Sequence, residues 1–128
     1  MARRRVTAIS TWAPTVGYSR AVRVGAHVYV AGTAGIGSDG AVTGDARAQT
    51  LRALTIIKEA LAESGAELAD VVRTRIFVTD IGQWEAIGRA HGEVFRDICP
   101  ASTMVEVSRL IHPAMLVEIE ADAVIEER

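Results

Sequence analysis

The sequence lacks most of what disulfide-stapled, metal-binding, membrane or nucleic-acid proteins are built on. Its 128 residues include one cysteine, Cys99. No internal disulfide can form, and a reducing, cytoplasmic setting is expected. The three histidines, His27, His91 and His112, stand far apart with none of the paired spacings of zinc sites, so no metal is expected. No apolar run is long enough to cross a bilayer, and no membrane partner is expected. The start, Met1 to Arg5, is basic, but Thr7, Ser10 and Thr11 break any apolar signal core, so no secretion signal is read. Fourteen Lys/Arg against sixteen Asp/Glu give a net charge of −2. Without a basic footprint, no nucleic-acid partner is expected. Low-complexity tracts, repeats and linkers are missing too.

What is present is ordinary globular material, 49% hydrophobic and 23% charged. A chain of this length buries roughly two-thirds of its unfolded surface and needs no staple, so residues 1–128 are read as a single domain. Residues 21–24 and 27–33 carry β-branched and aromatic residues around Gly25-Ala26, which predicts a strand hairpin. Ser38-Asp39-Gly40 predicts a tight turn. From Asp45 to Ser64 the period changes: Leu51, Leu54, Ile57 and Leu61 recur at helical spacing, and Gly65 stands where a C-cap glycine would.

A second strand, Val71 to Thr79, sets Val72, Thr74, Ile76 and Val78 on one face and Arg73, Arg75 and Phe77 on the other. Asp80 and Gln83 have capping-box spacing and predict a second helix running to about Asp97. Its apolar stripe would be Trp84, Ile87, His91, Val94 and Phe95. After Pro100, Thr103/Val105/Val107 and Val117/Ile119/Ala121/Ala123 give two more alternating strands. The order β-β-(β)-α-β-α-β-β predicts an α+β fold with two helices on one face of a mixed or antiparallel sheet. The other face would carry Arg73, Arg75, Glu106, Glu118, Glu120 and Asp122, a polar set that is either wet or an oligomer interface.

Several motifs have chemical and plain readings side by side. Gly35-Ile36-Gly37-Ser38-Asp39-Gly40 has dinucleotide-binding spacing, but the helix starts too late and the acid at the required distance, Glu59, falls inside it. It reads as a turn. Cys99 has no cysteine-enzyme signature around it and reads as a small buried hydrophobe. Glu118, Glu120 and Asp122 share one strand face, as a solvated acidic row or with one of them a general acid/base raised by partial burial. Arg73 and Arg75 are ligand clamps or partners for those acids. His91, on an apolar stripe, reads as packed in the core.

The segment Pro100-Ala-Ser-Thr-Met-Val-Glu-Val-Ser-Arg-Leu110, followed by Leu116-Val-Glu-Ile-Glu-Ala121, resembles the C-terminal signature of the RidA/YjgF family. Val16-Gly-Tyr-Ser-Arg-Ala21, Val28-Tyr-Val-Ala-Gly-Thr33 and Arg73-Thr-Arg-Ile-Phe-Val-Thr-Asp80 agree in order and spacing. With the Gln49-bearing helix, the resemblance covers nearly the whole chain. It implies a chorismate-mutase-like α+β fold and a homotrimer whose sheets form a central barrel, with ligand clefts between subunits. Deaminases of this family hydrolyse reactive enamines and imines without a metal or cofactor.

By motif position the resemblance makes Glu118 the water-activating residue. Met104 and Gly32 match positions whose backbone contacts the substrate or lines the cleft, and Tyr18 matches the tyrosine that closes it. The chain departs from the pattern at Ser102, where the deaminases carry an arginine that clamps the substrate carboxylate. Gly88 replaces a cleft asparagine, and the loop between Arg109 and Glu118 is one residue longer. Arg75 and Arg109 are the candidate substitutes for the missing clamp. The leading expectation is a hydrolase of an imine, enamine or related small nitrogen compound. A non-catalytic small-molecule binding or sensing trimer is the alternative, and a ribonuclease or translation inhibitor fits the acidic balance least.

Overall fold

A computed structural model describes residues 3–126; Met1 and Ala2 of the basic start lie outside the described residues. Six strands form one mixed sheet: β1 (Arg3–Thr7), β2 (Ser19–Val24), β3 (His27–Ala34), β4 (Val71–Val78), β5 (Ala101–Glu106) and β6 (Val117–Val124). Their order is β1-β2-β3-β6-β4-β5. All neighbours are antiparallel except β4 and β5, which run parallel on either side of a helical crossover. Two long helices, α2 (Ala46–Glu63) and α3 (Trp84–Phe95), pack on one face of the sheet, and a short α1 (Ala13–Val16) joins β1 to β2.

Strand β6 lies at the centre and explains the layering. Val117, Ile119, Ala121 and Ala123 are buried under the helices, whereas Glu118, Glu120 and Asp122, pointing the other way, are half-buried. Helix α2 starts where Asp45 accepts a hydrogen bond from the Ala48 amide and ends before Gly65, whose φ of +80° favours glycine. Its buried stripe includes Thr50, Ala53, Leu54, Ile57, Ala60 and Leu61. The Gly25-Ala26 hairpin forms as expected. Gly37 to Gly40 is a turn closed by the Gly40 amide on the Gly37 carbonyl, flanked by a single Ile36–Val42 bridge.

Five local expectations are corrected. Arg3–Arg5, read as a basic start, belong to strand β1. Val72 is 48% exposed, because the β4–β6 register shifts between Val71 and Arg73 and turns it out of the core alternation. Asp80 caps a 3-10 turn over Ile81–Gln83 through the Gly82 amide, so α3 starts at Trp84, which is itself exposed. Glu106 is in register with Val78, on the helix-covered side at the sheet edge, where it accepts from the Ile81 amide. Cys99 is exposed: the chain reverses before Pro100 at the surface and puts Cys99 at φ +49°.

Candidate active site

On the face of the sheet that the helices leave open, a cleft of about 340 Å³ is bounded by Tyr18, Arg20, Gly32, Glu118 and Glu120. Trp12 and Val16 from the β1–β2 connection and Ile111 and Met115 from the loop before β6 supply apolar walls. The Tyr18 hydroxyl shares a hydrogen bond with the Ser10 hydroxyl, which ties the entrance of β2 to that connection.

Glu118 projects from β6 beside β3. An ideal Cβ placed on Gly32 would lie 2.9 Å from the Glu118 Cδ and 3.1 Å from its Oε1. A larger residue there would make this carboxylate shift from its position. Burial pushes the Glu118 carboxyl above the ordinary carboxylate range, Glu120 pushes the same way, and Arg20 opposes them. A carboxylate of this kind is a stronger base than an exposed glutamate and can still give a proton back.

Glu118 is held in place from a distance by Gln49. The buried amide of Gln49 donates to the Gly44 and Ala114 carbonyls and accepts from the Leu116 amide at 2.9 Å. That pins the end of the loop leading into β6, two residues before Glu118. The adjacent register shift in β3, between Val30 and Thr33, takes Ala31 and Gly32 out of the regular β3–β6 ladder. Arg20 answers it: its Nη2 donates to the Ala31 and Gly32 carbonyls at 3.1 and 2.8 Å.

The structure thus brings together Glu118, Glu120, Gly32 and Tyr18 of the residues singled out in the sequence, and adds Arg20. The others lie elsewhere. Ser102 and Met104 sit on β5 at the sheet edge, with β4 between them and β6. Ser102 accepts a hydrogen bond from Thr74, whose hydroxyl is also bonded to His91 Nε2 at 2.9 Å. His91 packs against Phe95, and burial pushes its imidazole pKa down. It does not line the cleft. Arg75 is engaged by Asp122 and Glu120 at 3.2 and 3.6 Å, as a partner for the acids. Arg109 borders a separate depression with Leu110, Ile111 and Pro113. Gly88 is on α3, on the far side of the sheet. Among the described residues no cluster of metal-ligating side chains occurs and no helix is long and apolar enough to cross a membrane.

A two-layer mixed sheet with this order and an acidic, glycine-backed cleft on its open face defines a class of small α+β proteins, and comparison with known proteins places the chain within it. The family model described as Endoribonuclease L-PSP matches residues 8–125. The chain belongs to this family, also called RidA/YjgF. It is 52% identical to a solved Mycobacterium tuberculosis member of the YjgF/YER057c/UK114 family, with a TM-score of 0.89 over 97% of this chain and 100% of the other. A protein of Streptomyces coelicolor described as uncharacterised is 37% identical over 121 residues, 94% of this chain and 90% of its own. A Dermatophagoides farinae protein named 2-iminobutanoate/2-iminopropanoate deaminase is 38% identical over 111 residues, 85% of this chain and 86% of its own.

Proposed function

We propose that this protein hydrolyses a reactive imine or enamine, with Glu118 activating the water. The observation that carries the reading is the Glu118 carboxyl, raised by burial and lodged against a glycine that leaves it room beside an open cleft. The chemistry asks little of the protein. Glu118 takes a proton from water as the oxygen adds to the C=N carbon. The nitrogen is protonated, the C–N bond of the resulting carbinolamine breaks, and the products are a ketone and ammonia. Water supplies every atom added, so no cofactor is called for. The similarity to the Dermatophagoides farinae deaminase supports the same reaction type.

The reading includes assembly as a homotrimer, with the open sheet faces turned inward and β5 of one copy bordering the cleft of the next. Ser102 and Met104 on the exposed edge strand, remote from their own chain's cleft, fit such a contribution in trans. Half-exposed Tyr29 gives the open face apolar area to cover. A cytoplasmic setting, with Cys99 unpaired, belongs to the same reading.

The test is imine decay. Imines made fresh by an amino-acid oxidase from several amino acids are followed with the wild type and with Glu118→Gln. The wild type accelerates the decay, and the variant loses about 10²–10⁴-fold of that acceleration while light scattering still reports a trimer. Equal turnover by the variant sinks the assigned role of Glu118. Saturable binding without product in the wild type turns the protein into a binder.

A further inference from the structure

Serine at position 102 leaves the cleft without the carboxylate clamp expected from the deaminases, and the two arginines considered as substitutes are engaged or elsewhere. We infer that Arg20 fills that role and holds the carboxylate of an anionic substrate within the cleft that Glu118 also lines. The inference rests on the hydrolase reading for the nature of the substrate, but anion binding itself does not depend on turnover.

Three observations converge on Arg20. It lines the same cleft as Glu118 and Gly32. Its hydrogen-bonding capacity is only partly used: Nη2 is committed to the Ala31 and Gly32 carbonyls, while Nε is buried without an acceptor. Among the described residues it is the only buried side-chain nitrogen or oxygen left unmatched in this way. Native proteins rarely strand a charged donor without a purpose, because the lost hydration is not recovered. Its charge is also unanswered. Glu118 is near enough to interact through space but forms no close ion pair with it, and the other candidate, Arg75, has taken Glu120 and Asp122. Burial accordingly pushes the Arg20 guanidinium down, with Tyr18 and Glu118 only partly offsetting it.

The placement suits the substrate's geometry. In a 2-imino acid a single bond separates the carboxylate carbon from the carbon that water attacks, so anchor and base must be close neighbours. Gly32 touches both: its carbonyl accepts from Arg20 at 2.8 Å, and its Cα faces the Glu118 carboxyl. The carbonyl contacts fix the guanidinium in advance, so little ordering remains when an anion arrives. They also hold a cation near the Glu118 carboxylate, which offsets its repulsion of an incoming anion.

The experiment compares two probes, 2-oxobutanoate and its uncharged amide, in binding titrations with the wild type, Glu118→Gln, Arg20→Gln and Arg20→Lys. The side-chain Nε–Hε resonance of Arg20 is followed by NMR. The carboxylate is expected to bind the wild type at least about 10-fold tighter than the amide, to keep a preference over the amide in Glu118→Gln, and to shift the Nε–Hε signal. Arg20→Gln removes that preference without changing amide binding, and Arg20→Lys retains part of it. A purely structural arginine would weaken both probes equally. Equal affinity for the two probes in the wild type, no binding of the carboxylate, or an unmoved Nε–Hε signal at saturation overturns the assignment. The wild-type arms and Arg20→Lys decide the matter even if Arg20→Gln fails to fold. Carboxylate-selective binding without imine hydrolysis would remove the hydrolase reading and keep Arg20. Hydrolysis with unchanged KM in Arg20→Gln would do the reverse.

Discussion

The two faces of the central sheet are made by alternate residues of the same strands, yet they obey different rules. Beneath the helices, Val117, Ile119, Ala121 and Ala123 meet Leu54, Ile57 and Phe95 in a closed apolar core. Even the buried polar groups there, such as Thr50 and Gln49, are hydrogen-bonded. On the open face, burial raises Glu118 and leaves an Arg20 donor stranded. On the first face no buried side-chain nitrogen or oxygen among the described residues lacks a partner, and that face supplies stability. The other retains electrostatic tension that a ligand can relieve. Glycines three residues apart show the contrast. A Cβ on Gly35 would meet the backbone of α2, 2.6 Å from the Gln49 carbonyl oxygen. The nearest atoms to a Cβ on Gly32 would be those of the flexible Glu118 side chain.

The sharpest way to break this contrast is to add one methyl group at each site. Gly35→Ala forces α2 away from the sheet and should cost about 2–3 kcal/mol in urea unfolding, since backbone cannot swing aside. Gly32→Ala should leave the unfolding midpoint nearly unchanged, because the carboxylate can rotate away. That rotation removes the base from its position, so imine turnover should fall about 10-fold or more. If Gly32→Ala destabilised as much as Gly35→Ala, the two faces would not differ as described.

Much of the stability-bearing face was legible in the sequence, and little of the other. Period-two alternation in residues 117–123 and the helical period from Leu51 to Leu61 reflect burial of one side, a property each segment carries by itself. Strand β1 gave no such signal. Arg3, Arg4 and Arg5 form an exposed edge strand with no apolar alternation, and Arg4 instead donates to the Glu63 carbonyl at the end of α2. Val72 and Glu106 went to the wrong faces because a register shift and a parallel edge pairing are set between strands, beyond the reach of a pattern within one. Glu118, Gly32 and Tyr18 came from motif position. Arg20 stood inside the Val16–Ala21 motif but was given no role and no face there. Its significance depends on the irregularity of β3 at Ala31 and Gly32, which only the pairing with β6 reveals.

The titration of each face offers a subtler division. On the helix side, His91 is bonded to Thr74 and its pKa is lowered by burial. Its unfolded form binds a proton more readily than its folded form. The stability it confers is therefore complete above its ordinary value of about 6.5 and is lost as the pH falls from there through the lowered folded value. Unfolding measured against pH in wild type and His91→Gln should show a decline below about pH 6.5 that the variant lacks. A variant with the same slope would assign the decline to other groups.

Glu118 should behave in the opposite sense, and with a small effect on stability. Its folded pKa is raised, so between the ordinary and the raised values the native state holds more protons than the unfolded chain. Stability then falls as the pH rises through that window, and ionised Glu118 is a standing cost at neutral pH. Glu118→Gln, the variant expected to lose the proposed turnover, should therefore raise the melting temperature at pH 7 by about 2 °C. The gain should fade as the pH drops below the ordinary carboxylate range, where both states are protonated. The same raised pKa should set the acid limb of kcat/KM, so that acidification stops activity at a higher pH than an exposed glutamate would give. A melting temperature that falls in Glu118→Gln would mean that its carboxylate is stabilised by the fold. The open face would then be matched like the other, and the difference between them would lie in exposure alone.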